Sequence, residues 1–177
     1  MRLLAISGSL RRGSSNTALL TAAAALAPAG VTVEVFSGLG VLPHFNPDLE
    51  GAEPAAVREY LAAVQRADGL LISTPEYAHG LPGVLKNALD WLVGSIHFPG
   101  KPVAIFNASP WATHATASLR ETLTVMNARL IDEASLTLPL QGRRLDAAGI
   151  QADPALAAAV RAALAAFARA IAAPPAR

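Results

Sequence analysis

The chain has 177 residues, of which 53% are hydrophobic and 15% are charged, and its net charge at pH 7 is +1. This size and composition are typical of one globular domain, so we expect residues 1–177 to form a single unit. The small net charge argues against a nucleic-acid-binding protein or an acidic electron-transfer protein, and the lack of cysteine excludes disulfides, thiolate nucleophiles, iron–sulfur clusters and zinc–thiolate sites.

Strand-like and helix-like segments alternate from the N-terminus onward. Short apolar runs typical of buried strands occur at residues 3–6, 31–36, 69–74, 102–107 and 130–138. Apolar residues at helical spacing occur at residues 19–26, 57–64, 81–92, 115–127 and 154–171, and Asp153 caps the last of these helices. Residues 37–51 contain proline, glycine and asparagine with little periodicity, so we predict a surface loop there.

Five β–α alternations predict a parallel sheet with helices on both faces. The expected fold is a flavodoxin-like three-layer sandwich whose five strands follow the order 2-1-3-4-5. That order has its switch point between strands 1 and 3, and ligands bind outside the carboxyl ends of strands at such a point. The loops at Gly8–Asn16 and Pro75–Gly80 follow these two strands, so we expect them to meet.

The first of these loops has the features of an anion-binding site. It lies between a strand and a helix start, where free backbone N–H groups and the helix dipole favour negative charge. Its hydroxyl, amide and guanidinium donors are Ser9, Arg11, Ser14, Ser15, Asn16 and Thr17. The spacing resembles a Walker A loop, but Ser14 stands in place of the phosphate-binding lysine, so a compact monophosphate fits better than a nucleoside triphosphate. The alternative is a capped helix start with two solvated arginines.

Two motifs resemble those of the NADPH-dependent FMN reductase family. Residues 8–16, GSLRRGSSN, are similar to the family pattern G-S-L-R-x-x-S-x-N. Residues 75–91, PEYAHGLPGVLKNALDW, are similar to P-E-Y-x-x-x-x-P-G-x-L-K-N-A-x-D-W and match every specified position. The family includes flavin, quinone, azo-dye and chromate reductases. The resemblance therefore implies a flavodoxin-like fold that binds FMN and uses NADPH or NADH as co-substrate.

The resemblance also implies roles for individual residues. The phosphate of FMN would bind at Ser9, Arg11, Ser14, Ser15, Asn16 and Thr17, and its ring would lie along Pro75, Glu76, Tyr77 and Ala78. Backbone N–H groups after Pro75 can bond the polar edge of the ring, and Tyr77 can lie against its face. Arg143 and Arg144 could meet the 2′-phosphate of NADPH, but no motif places them near it, so the choice between NADPH and NADH stays open.

The third loop of the family follows strand 4 and usually carries paired glycines that allow close approach to the ring. Here residues 107–118 read NASPWATHATAS. Ser109 fits the family pattern, but Trp111 and His114 occupy the region of the missing glycines. This departure indicates a changed wall of the ring pocket and a different substrate preference.

The implied function is that of an FMN-dependent oxidoreductase. Hydride passes from NAD(P)H to the bound FMN, and the electrons then reduce a flavin, quinone, azo compound or metal oxyanion. We assign no catalytic side chain and no metal ligand, because the cofactor supplies the chemistry. The alternative is a flavodoxin-like FMN-binding electron carrier without its own turnover, although flavodoxins are typically acidic and their phosphate loops are richer in threonine and glycine.

In family members the third helix commonly helps form a dimer interface. The resemblance therefore implies a homodimer or homotetramer through residues 81–94. An apolar face of Val84, Ala88 and Trp91 is compatible with such an interface. Packing of the same face inside one monomer is the alternative.

The ends of the chain bear on its location. The first apolar run, residues 3–6, is too short for a signal peptide, and arginines interrupt the apolar C-terminal stretch. We expect a cytoplasmic protein whose partner is a small-molecule electron acceptor, without binding to nucleic acid or membrane.

Overall fold

A computed structural model describes residues 1–173, and the last four residues of the expected 1–177 unit lie outside this range. The strands are β1 (Arg2–Ser7), β2 (Thr32–Phe36), β3 (Gly69–Ser73), β4 (Pro102–Asn107), β5 (Arg129–Leu130) and β6 (Leu136–Thr137). The α-helices are α1 (Ser15–Ala25), α2 (Ala55–Arg66), α3 (Gly83–Asp90), α4 (Thr113–Val125), α5 (Ala147–Ala152) and α6 (Pro154–Ala172).

The strands form one parallel sheet in the order β2-β1-β3-β4-β5, which confirms the predicted order. β1 and β3 lie side by side, with Ser7 opposite Ser73 at their carboxyl ends. Every residue of β3 is buried, because helices cover both faces of the sheet and leave a central strand no solvated side.

Successive residues of each strand point to opposite faces of the sheet and contribute to two separate cores. On one face, Leu3 and Ala5 of β1 pack with residues of α1, α5 and α6. On the other face, Leu4 and Ile6 pack with residues of α2, α3 and α4. The helices therefore lie on both faces, as the alternating sequence pattern predicts.

The predicted fifth strand is divided in two. β5 and β6 both pair with β4, but a 3-10 turn at Asp132–Ala134 separates them. Asp132 and Glu133 interrupt the apolar run, and carboxylates are disfavoured inside strands. At the interruption the hydroxyl of Ser135 accepts a hydrogen bond from Ile105 N at 3.1 Å, so a side chain replaces a backbone acceptor of the sheet.

Two other segments differ from the sequence-based expectation. Residues 37–51 contain 3-10 turns at Gly38–Val41 and Pro47–Leu49, and they bury Leu39 and Leu42 in the core beside α2 and α3. This segment is therefore partly core and not only surface. Helix α5 was not predicted, because its six residues are too few to establish a helical period.

Among residues 1–173, α6 is the one helix long and apolar enough to cross a membrane by length and composition. Its apolar stripe is buried against the sheet, and it includes Leu156, Val160, Leu164 and Phe167. The hydrophobicity of α6 is thus used in the core of this fold.

Candidate functional site

A cavity of about 430 Å³ opens at the carboxyl ends of β1, β3 and β4. Its volume falls within the range of roughly 300–1,000 Å³ that is usual for small-molecule sites. The lining residues are Ser9, Arg11, Ser14, Ser15, Asn16, Thr74, Pro75, Glu76, Tyr77, Ala108, Ser109, Trp111, Ala112, Gln141 and Gly142. The two loops expected to meet therefore share one cavity with the loop after β4.

The first loop begins in direct contact with the end of β3. Gly8 N donates a hydrogen bond to Ser73 O at 2.8 Å. A Cβ atom on Gly8 would lie only 2.6 Å from the Thr74 hydroxyl oxygen, so any side chain here would displace the buried Thr74. Glycine is needed because the Thr74 side chain leaves no room for a Cβ atom at this position.

The start of α1 supplies the donors of an anion site. Ser14 is the N-cap, and its hydroxyl accepts from Thr17 N at 3.4 Å. Within residues 1–173, the backbone N–H groups of Ser15 and Asn16 have no hydrogen-bond acceptor. Arg11 is exposed and adds a positive charge to the same end of the cavity. Free amides, the helix dipole and a guanidinium together favour a phosphate here.

Two side chains of α1 anchor this anion site to the sheet. The Ser73 hydroxyl donates to Asn16 Oδ1 at 2.8 Å in a buried contact, and Asn16 also lines the cavity. The hydroxyls of Ser7 and Thr17 are 2.7 Å apart and share a hydrogen bond. Thr17, although predicted as a site residue, does not line the cavity.

The second loop folds into a tight hairpin turn. Tyr77 N donates to Gly80 O at 3.1 Å, and Gly80 N donates to Tyr77 O at 2.9 Å. The central residues, Ala78 and His79, have φ angles of 48° and 58°, which makes this a type I′ turn. Neither residue favours this region, and the strain is about 1–2 kcal/mol per residue. The turn leaves Tyr77 on the cavity and carries Ala78 away from it, so Ala78 is the second predicted residue that does not line the cavity.

Two side-chain contacts hold this hairpin against α4. Glu76 Oε2 accepts from Ala115 N, in the first turn of α4, at 2.9 Å. The N-cap of α4 is Ala112, which has no capping side chain, so the carboxylate of Glu76 performs that function. The rings of His79 and His114 stack with centroids 4.2 Å apart and an angle of 16° between their planes. These two contacts were not predicted from the sequence. Their one visible sign is the alanine at the N-cap of α4, which cannot cap the helix itself.

The third loop is fixed by a chain of hydrogen bonds. Ser109 N donates to Asn107 Oδ1 at 2.9 Å, and Ser109 Oγ donates to Gln141 Oε1 at 2.7 Å. Gln141 and Gly142 lie in the loop after β6, and sequence analysis missed both. Their position follows from the pairing of β6 with β4, which brings the ends of these two strands together.

Arg143 and Arg144 do not line the cavity. Arg143 donates to Asp153 at 2.9 Å, and Asp153 is the N-cap of α6. Hydrogen bonds from Leu156 N, from Arg143 and from Ala155 N hold the pKa of the Asp153 carboxyl below its ordinary value. Arg143 therefore supports the cap of α6.

The cavity suits FMN in particular. One end offers free N–H groups, hydroxyls and a guanidinium, as a phosphate monoester requires, and the other end offers proline and tyrosine side chains beside exposed backbone, as a flat ring with a polar edge requires.

Comparisons with known proteins also point to an FMN-binding protein. The model of the NADPH-dependent FMN reductase family matches residues 1–143. An NAD(P)H-dependent FMN reductase of Pseudomonas aeruginosa is 38% identical over 159 residues, which cover 82% of this chain and 85% of that protein. A 2-hydroxy-1,4-benzoquinone reductase of Burkholderia sp. is 36% identical over 155 residues, which cover 84% of each. The structure of FerB, a flavoenzyme NAD(P)H:(acceptor) oxidoreductase of Paracoccus denitrificans, is similar with a TM-score of 0.79 at 27% identity, over 95% of this chain and 97% of that chain.

The fold is that of a flavodoxin-like flavoprotein, and the cavity lies at the switch point between β1 and β3. The chain belongs to the NADPH-dependent FMN reductase family. It is an oxidoreductase that uses FMN as cofactor, NAD(P)H as electron donor and a small molecule as electron acceptor. Its relatives are reductases, so the alternative of an electron carrier without turnover is not favoured.

Proposed function

We propose that the 430 Å³ cavity is the FMN site and that a quinone is the electron acceptor reduced there. The observation that carries the proposal is the convergence of three loops, after β1, β3 and β4, on this one cavity. The proposed phosphate contacts are Ser9, Arg11, Ser14, Ser15, Asn16 and Thr17. The proposed ring contacts are Pro75, Glu76, Tyr77, Ala78 and Ser109.

In the second loop, one backbone N–H group is free to donate a hydrogen bond to the flavin ring. Pro75 has no N–H group, and the N–H of Tyr77 is used in the hairpin turn. The N–H of Glu76 has no acceptor among residues 1–173, and Glu76 lines the cavity. We therefore assign the hydrogen bond to the polar edge of the ring to Glu76 N. The Glu76 side chain has a different role, because it caps α4.

The chemistry resides in the cofactor. FMN held by these residues would supply the redox chemistry, which is acceptance of hydride from the nicotinamide and transfer of two electrons to the acceptor. The net reaction is NAD(P)H + H⁺ + quinone → NAD(P)⁺ + hydroquinone. The protein binds the phosphate, positions the ring and shapes the cavity in which nicotinamide and acceptor meet the ring. A quinone is favoured because two of the relatives are named as a benzoquinone reductase and a quinone reductase.

We also propose a cytoplasmic homodimer or homotetramer, with residues 1–177 as one FMN-binding domain. The interface would lie in the 81–94 segment, but Ala88 and Trp91 belong to the core of the monomer. Trp91 is 4% exposed, and its indole N–H donates to Pro43 O at 2.9 Å. The exposed Val93 is the better candidate for a contact between subunits.

The proposed FMN site is tested by replacing two neighbouring arginines, Arg11 and Arg12, one at a time. We expect Arg11→Ala to weaken FMN binding by about 10- to 150-fold, because a charged hydrogen bond is worth about 1.5–3 kcal/mol. Arg12→Ala is the matched control, since Arg12 is also exposed but does not line the cavity. The measurement is titration of the apoprotein with FMN, followed by flavin absorbance. Equal effects of the two substitutions would place the phosphate elsewhere.

The catalytic part of the proposal has its own test. The FMN-loaded protein should oxidise NADPH or NADH in the presence of a benzoquinone, with one hydroquinone formed per nicotinamide. A protein that binds FMN but does not turn over would be the electron carrier after all.

A further inference from the structure

The side chain of Trp111 lines the cavity and is not packed in the core. It is 78% exposed, whereas Trp91, the other tryptophan, is 4% exposed and hydrogen-bonded. Among residues 1–173, the indole N–H of Trp111 has no acceptor. An exposed tryptophan that lines a cavity is a typical sign of a ligand contact, since large apolar side chains otherwise pack in the core.

The backbone beneath Trp111 is firmly held. Trp111 N donates to Ser109 Oγ at 3.3 Å, and that same oxygen donates to Gln141. The next residue, Ala112, is buried and is the N-cap of α4. The ring thus projects from a fixed position, so little conformational freedom of the backbone is lost when a ligand binds.

Tyr77 is presented in a similar way. It is 57% exposed, lines the same cavity and belongs to the hairpin turn. The contact from Glu76 to Ala115 N fixes this hairpin to α4, the helix that directly follows Trp111. Two exposed aromatic side chains are therefore held on loops that are bound to each other.

We propose that Trp111, beside the proposed flavin contact Tyr77, completes an aromatic platform that selects flat aromatic electron acceptors over compact oxyanions. This inference rests on the proposed function and deepens it. An aromatic ring gains about 0.5–1.5 kcal/mol from each such pair beyond the burial of area. A hydrated oxyanion such as chromate gains nothing from an aromatic face and must lose water to approach it. Trp111 is thus a specificity-determining residue of this chain.

The test compares acceptors in steady-state kinetics of the FMN-loaded protein, with NADH or NADPH saturating. We expect Trp111→Ala to raise the KM for a naphthoquinone by about 2- to 12-fold with kcat little changed. The kcat/KM for chromate and the Kd for FMN should stay at wild-type values. Trp111→Phe keeps an aromatic face and should restore most of the quinone KM. Ile96→Ala is the control, because Ile96 is 85% exposed but lies outside this cavity.

Three results would overturn the platform. An unchanged quinone KM in an active Trp111→Ala variant shows that the ring does not contact the acceptor. Equal losses with naphthoquinone and chromate, together with a weaker Kd for FMN, show that Trp111 contacts the flavin instead. A wild-type protein that binds no FMN or oxidises no NAD(P)H overturns the proposed function, and the platform with it, and this outcome is distinct from the first two.

Discussion

At the scale of single residues, Tyr60 carries a hydroxyl into the core without a partner. Its ring is fully buried and packs on Phe36 with centroids 5.1 Å apart. Among the described residues, no group hydrogen-bonds its hydroxyl. We expect Tyr60→Phe to raise the free energy of unfolding by about 1 kcal/mol, because it removes an unsatisfied polar atom and keeps the ring. Urea unfolding measures this, and a loss of stability would reveal a water or other partner for the phenol.

Burial also raises the pKa of the Tyr60 phenol far above its ordinary value near 10. The folded state therefore holds this proton after the unfolded state has released it. The stability linked to the phenol is complete below pH about 10 and falls as the pH rises toward the folded-state pKa. The Tyr60→Phe variant should lose less stability than the wild type above that pH.

At the scale of elements, the hairpin after β3 depends on α4 for its position. We expect Glu76→Ala to lower the free energy of unfolding by about 1 kcal/mol, as loss of a helix cap does, and to weaken FMN binding because the Glu76–Gly80 loop is released. Glu121→Ala is the matched control, because Glu121 is an exposed glutamate within α4 that makes no contact of this kind. Thermal unfolding and FMN titration measure the two effects. If Glu76→Ala behaves like Glu121→Ala, the contact is incidental.

The elements themselves could be predicted from the sequence, whereas the contacts between loops could not. Apolar spacing defines β1, β3, α2 and α6, because their side chains face a core with a regular period. The type I′ turn has no such signal. Ala78 and His79 stand where asparagine and glycine are usual, and only the surrounding contacts hold them at positive φ. The break between β5 and β6 was visible as two acidic residues in an apolar run, but the pairing of Asp132 with Arg120 at 2.7 and 3.0 Å was not.

At the scale of the whole molecule, a surface of mixed polar and apolar residues lies apart from the proposed flavin cavity. A second cavity of about 340 Å³ has Phe45, Trp91 and the highly exposed Ile96 among its lining residues, and Val93 lies close to it in the chain. We expect Val93→Asp to weaken subunit association by about tenfold or more, because an interface that buries Val93 would then bury an unpaired carboxylate. Sedimentation equilibrium measures this.

Val125→Asp is the control for that experiment. Val125 is 73% exposed and Val93 is 65% exposed, but Val125 lies at the end of α4, outside residues 81–94. If both variants associate as strongly as the wild type, the interface does not include Val93. The sequence of residues 81–94 is compatible both with a subunit interface and with packing inside one monomer. Ala88 and Trp91 have the apolar character of interface residues, but both are buried within the chain, and Trp91 contacts Pro43 and Phe45.

The hydrogen bond between Gly8 N and Ser73 O continues the pairing of β1 with β3, so the sheet sets the spacing of the loops at the proposed flavin site. Neighbouring strands lie ~4.8 Å apart, so the loops after β1, β3 and β4 are set across a frame roughly 10 Å wide. That width is set by the backbone pairing of the strands and does not depend on the exposed side chains around the cavity. Replacing rim residues such as Trp111 can therefore change which acceptor is reduced while the distance between the phosphate loop and the ring loop stays constant. The same frame could serve a series of reductases that differ in one loop.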